Sequence, residues 1–193
     1  MVSAKKATVF ILIATVLIWF MLQIIDGEKK NISYPLEKTF ESPEFKFSFR
    51  YPTNYSLEEK KVAADSILRV IVLKEDATEN RKLARESQGK ETKLGEKPFS
   101  ITIEIHEPRA GINSLEAWVR DEKRPNFRAN VKNIKPTAVG VPALSYSWSG
   151  LYETDAVVTI HRGKIIATQV TYKSKNDQIR KDFKRILESF RFQ

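Results

Sequence analysis

The sequence has 193 residues, a formal net charge of +9 and no cysteine, which excludes disulfides, thiolate nucleophiles, Cys-based metal sites and a lipid anchor on an N-terminal Cys. With the four lysines and two acids of the first thirty residues set aside, 29 basic against 22 acidic residues remain, enough chain for one ordinary domain with a net charge of +7. Both signs alternate along it without a block of like charge, so the excess reads as a solvated basic surface and no nucleic-acid partner is expected.

The first element runs from Ala7 to Ile25, nineteen residues without a charge and with only Thr8, Thr15 and Gln23 clearly polar. As a helix it reaches about 29 Å, the thickness of a bilayer's hydrocarbon core. A cleaved signal has a shorter apolar middle and small residues at its exit. Here the exit reads Met21-Leu22-Gln23-Ile24-Ile25. Residues 7–25 therefore predict an uncleaved, single-pass transmembrane anchor. Lys5 and Lys6 ahead of it place residues 1–6 in the cytoplasm and the rest of the chain outside, an extracytoplasmic localisation. Residues 26–42, polar and without a clear period, read as a tether.

The domain proper is expected over 43–193. Glu44 to Tyr51 alternates strictly, with Phe45, Phe47, Phe49 and Tyr51 on one face, the signature of a half-buried strand. A short strand from Tyr55 and a third over Ser66–Lys74, rich in β-branched residues, follow. Residues 75–97 are charged, with Leu83 and Leu94 as their only large apolar side chains, and predict a mobile excursion or a marginal helix around 78–86. Phe99 to His106 alternates again, with Phe99, Ile101, Ile103 and Ile105 inward. Asn113-Ser114 offers an N-cap for a short helix, with Glu116 placed as in a capping box and Leu115, Trp118 and Val119 as the apolar stripe.

The last third predicts two hairpins. One has a turn at Gly140-Val141-Pro142, and the other has a two-residue loop at Arg162-Gly163. A closing helix over 176–190 carries Ile179, Phe183, Ile186, Leu187 and Phe190 on one stripe, with Arg180, Lys181, Lys184 and Arg185 outward. Hairpin-linked strands with inserted helices imply an α+β class, an antiparallel sheet flanked by helices.

Phe47-Ser48-Phe49-Arg50-Tyr51-Pro52, followed by Tyr55-Ser56-Leu57, resembles the entry of PsbP-like domains. The mid-chain Ser114-Leu115-Glu116-Ala117-Trp118 and the closing Ile186-Leu187-Glu188-Ser189-Phe190-Arg191-Phe192 agree with it, so the resemblance spans roughly 45–193. It implies an α/β/α sandwich. It also implies a class of extrinsic photosystem subunits, assembly factors and protein-binding modules rather than enzymes, many of them carrying an N-terminal anchor in bacteria. No photosystem-binding residue is matched, so fold and class carry over and no site does.

Candidate chemistry is sparse. His106 and His161 are the only imidazoles, and with Glu104, Glu107 and Asp155 nearby they suggest a zinc or manganese site or a metal-dependent hydrolase. Two histidines on separate strands are more simply explained by chance. Ser145 to Gly150 lacks a nucleophile elbow and reads as a strand with Tyr146 and Trp148 on one side. Gly89-Lys90 lacks the glycine pattern of a phosphate loop. Arg124, Phe127 and Arg128 mix charge with aromatics, as anionic-polymer binders do. No catalytic, cofactor-binding or metal residue is assigned, and no cofactor is expected. The favoured expectation is a non-enzymatic, membrane-tethered binding or assembly module with a protein or envelope partner, and the alternative is an extracytoplasmic enzyme using His106 and His161.

Overall fold

A computed structural model describes residues 33–64, 66–76, 80–82, 85, 99–124 and 127–193. In chain order the elements are β1 (Leu36–Ser42), β2 (Phe47–Pro52), β3 (Tyr55–Ala64), β4 (Ile67–Glu75), β5 (Ile101–His106), α1 (Leu115–Arg120), β6 (Lys132–Ala138), β7 (Pro142–Ser149), β8 (Glu153–His161), β9 (Lys164–Tyr172), α2 (Gln178–Ser189) and β10 (Arg191–Phe192). Seven strands form one antiparallel sheet in the order β3-β4-β5-β9-β8-β7-β6, and β1-β2-β10 form a second, smaller one. The described residues are mostly antiparallel sheet with few helices.

Both faces of the large sheet are covered, and register shows which residues go where. Directly paired residues share a face, so one row on the first face runs Glu59–Ile71–Ile103–Thr168–Val157–Ser145–Lys135. Its apolar middle lies under α2 and the small sheet, in a core that includes Phe183, Ile186 and Phe190. The small sheet adds Phe47 and Phe49, with Phe190 stacked on both at 5.8 and 5.1 Å. On the second face, Trp118 and Val119 of α1 close over Tyr146, Ala156, Val158, Ile165 and Ala167. Burying each large apolar side chain contributes about 1.5–3 kcal/mol, which sets α2 on its stripe.

Several sequence expectations change. The stretch 36–42, read as part of the tether, is strand β1 and pairs along β2, with Phe40 stacked on Phe49 at 5.2 Å. Its exposed polar side chains hid two packing residues, Leu36 and Phe40. The N-cap of α1 is Ser114, which accepts from the Ala117 N–H at 3.1 Å, and Glu116 pairs with Arg120 instead of closing a capping box. Arg180 and Arg185 are half-buried rather than outward, because Asp155 and Asp182 face them at 2.7 and 2.8 Å. The Arg162-Gly163 loop has φ of 49° and 74°, positive at both central residues as a type I′ hairpin requires. Of the 75–97 excursion, Glu75 ends β4 and residues 80–82 are helical. Asn80 is buried there, its amide donating to the Glu75 and Phe99 carbonyls and accepting from the Phe99 N–H. No helix among the described residues is long and apolar enough to cross a membrane. The anchor read over 7–25 lies outside those residues.

Candidate functional site

Alternation along β5 puts Glu104 and His106 on the second face, beneath α1. Glu104 Oε2 lies 3.1 Å from His106 Nε2, and the imidazole, 0% exposed, meets Trp118 edge-on at 5.2 Å. With Nε2 donating to the carboxylate, Nδ1 is a buried acceptor without a hydrogen-bond partner among the described residues. The Arg124 guanidinium covers the Trp118 ring at 4.4 Å and donates to the Val119 carbonyl. Burial lowers the Arg124 pKa. Burial also pushes Tyr146 up to about 12, with the positive charge of Arg124 opposing the shift and Glu104 adding to it. Glu104, His106, Arg124 and Tyr146 thus form a charge-compensated cluster sealed by Trp118. It can hold α1 in place, but it offers no surface to a substrate.

His161 lies on the other face. Its ring sits 4.8 Å from Phe192 of the small sheet, and burial lowers its pKa, against a hydrogen bond with the Lys46 backbone. The sheet itself separates the two imidazoles, so the suggested joint site does not form. The other carboxylates are occupied: Glu107 pairs with Lys164, and Asp155 takes Arg180 Nε at 2.7 Å and the Tyr172 hydroxyl at 3.0 Å. Among the described residues no group of three or more His, Cys, Asp or Glu side chains is placed to hold a metal.

The remaining motifs divide in the same way. Ser145 and Ser147 point to the first face, Tyr146 to the second, as strand alternation predicts. Arg124 is buried while Arg128 is exposed over Trp148, so the basic–aromatic run is split between interior and surface. Gly89-Lys90 lies outside the described residues.

Two grooves have no counterpart in the motifs of the sequence. One, of about 500 Å³, lies beside Tyr55, and its charges are largely paired at home: Lys38 donates to the Tyr55 carbonyl at 2.9 Å, Arg81 meets Asp76 at 2.9 Å and Asn54 donates to Glu75 at 3.1 Å. Burial first, and the charge of Asp182 second, raise the Glu75 pKa. The other, of about 490 Å³, opens on the first face between α2 and the β6–β7–β8 end of the sheet. There the cross-sheet rows turn polar: Val157 gives way to Ser145 and Lys135, and Val170 gives way to Asp155, Ser147 and Lys132. Lys132 and Lys135 are three apart, and regular alternation would put them on opposite faces. A bulge at Asn133, whose φ is 56°, sets both opposite first-face serines. That bulge is the signal periodicity could not supply.

No family model and no curated protein matches the sequence. Among solved structures, the solution structure of cyanobacterial PsbP (CyanoP) from Synechocystis sp. PCC 6803 is similar, with a TM-score of 0.51 at 16% identity over 86% of this chain and 98% of that one. The domain has a PsbP-like fold. In this fold the second face is covered by α1, and the first is open at its β6–β7–β8 end.

Proposed function

We propose that the chain is a membrane-tethered, extracytoplasmic binding or assembly module that performs no chemistry of its own. The observation that carries this reading is the fate of the polar groups a reaction would need. His106 and Glu104 are paired under Trp118, Asp155 is held by Arg180 and Tyr172, and His161 lies across the sheet from His106. Catalysis requires groups within reach of a substrate, whereas binding requires shaped, accessible surface. The resemblance read from the sequence points to the same class, and the apolar run 7–25 supplies the tether.

The reading is tested by cross-linking the full chain in intact membranes and identifying adducts by mass spectrometry. A discrete protein adduct, absent when the chain is denatured beforehand, is the expected result. Recovery of the chain alone at every cross-linker length overturns the reading.

A further inference from the structure

We infer that the groove between α2 and the β6–β7–β8 end of the sheet docks an extended, acidic segment of a partner protein. The inference rests on the binding-module reading and specifies its surface and the chemistry of its partner. Lys135, Arg180 and Lys184 line the groove against a single acid, Asp155, for a net of +2. Asp155 is already neutralised by Arg180 and bonded to Tyr172. Lys135 and Lys184 are exposed and have no carboxylate partner among the described residues, so each is available to an incoming anion.

The shape favours a peptide. The floor carries Ser145 and Ser147, two residues apart on one strand and so about 6.6–6.8 Å from each other, the repeat of same-side residues in an extended chain. Ser145 donates only a long bond of 3.4 Å to the Lys135 carbonyl. Leu187 of α2, partly exposed and backed by the buried Phe183, forms an apolar wall opposite β6. An extended segment alternating acidic and apolar residues meets cations and hydroxyls on one side and this wall on the other. A lipid headgroup would use the cations and leave the wall idle. The sequence also keeps the groove open. The row that is apolar under α2 turns to Ser and Lys where α2 ends its cover, and the Asn133 bulge aims a second lysine, Lys132, at the same face, where it bonds Ser149.

The test uses the full chain in detergent, a fluorescent peptide of alternating glutamate and leucine, and anisotropy. Binding that weakens with salt is expected, together with a loss of at least about tenfold in Lys135→Glu/Lys184→Glu, because reversal sets like charges together. The control Lys61→Glu/Lys123→Glu, at exposed positions away from the groove, should retain the wild-type affinity. An equal loss in both double variants overturns the groove in favour of diffuse charge. So does absent peptide binding. Anionic phosphatidylglycerol vesicles bound through Lys135 and Lys184 while the peptide is not would overturn it in favour of lipid. Near-ultraviolet circular dichroism identical to wild type shows that each variant is folded. If the groove variant still forms the wild-type adduct in membranes, the docking site is wrong and the module reading stands. If the wild type forms none, the module reading itself fails.

Discussion

Phe183 and Lys184 are neighbours in sequence with opposite environments. Phe183 is 3% exposed within the core under the sheet, and Lys184 faces the solvent. Phe183→Ala should therefore cost about 3–5 kcal/mol, through lost transfer energy plus a cavity. Lys184→Ala should stay within about 0.5 kcal/mol. Urea denaturation of the two variants decides it, and equal midpoints would contradict the face assignment. Glu75 gives a prediction in pH. Its carboxyl is raised by burial and by Asp182, so the folded state binds its proton more tightly than the unfolded chain does. Stability then falls as pH rises from the ordinary carboxylate value through the raised one, and the full cost is present above it. Glu75→Gln keeps an oxygen for the Asn54 amide and removes the charge. Its melting temperature should exceed wild type at neutral pH, and the gap should close in acid. A gap independent of pH would show that charge is not the cause. Phe183 was legible in the sequence because a helical stripe reports burial directly. Glu104 was not: alternation in β5 marks it as the polar, solvent side of a strand, and only the cover from α1 turns that side into a second interior.

Elements that owe their place to long-range pairing were the hardest to read. The hairpins of β6–β7 and β8–β9 announced themselves through turn residues and alternation, and they fold as expected. β1 has little period of its own and becomes a strand by pairing with β2. In the 75–97 excursion, which composition reads as mobile or marginally helical, Asn80 makes three hydrogen bonds that tie it to Glu75 at the end of β4 and to Phe99 just ahead of β5. Asn80→Ala should cost about 1–3 kcal/mol, since it leaves the buried Phe99 N–H and carbonyl unpaired. A shortened chain that retains Asn80 should keep wild-type stability more nearly than one that lacks it, as thermal melting of the pair would show. The bulge in β6 has its own test. At φ 56°, Asn133→Gly should be tolerated, whereas Asn133→Val should cost about 1–2 kcal/mol, the left-handed penalty for a branched side chain. Equal stability of these two variants would mean that the strand runs straight there, and Lys132 and Lys135 would then face opposite sides.

At the scale of the whole molecule, the large sheet guards both of its edges. β3 presents Glu58, Glu59, Lys60 and Lys61, and β6 presents Lys132, Lys135 and Pro136 together with its bulge, devices that discourage pairing with another sheet. Guarded edges fit the proposed docking in a groove on a face better than strand addition. The proposed membrane tether carries a prediction about topology at this scale. Lys5 and Lys6 ahead of the run 7–25 argue for an inside N-terminus, although Lys29 and Lys30 follow it and narrow the bias. With β1 beginning at Leu36, the polar stretch shortens to residues 26–35, and Lys29-Lys30 lies within it. Trypsin added to intact cells whose outer barriers have been opened should cut after these lysines and release a soluble fragment that begins near residue 31. The fragment should keep the near-ultraviolet circular dichroism of a packed core, because the paired strands and both aromatic clusters all lie beyond the cut. If the full-length chain survives intact cells and is cut only after the membrane is lysed, the domain lies inside and the topology is reversed.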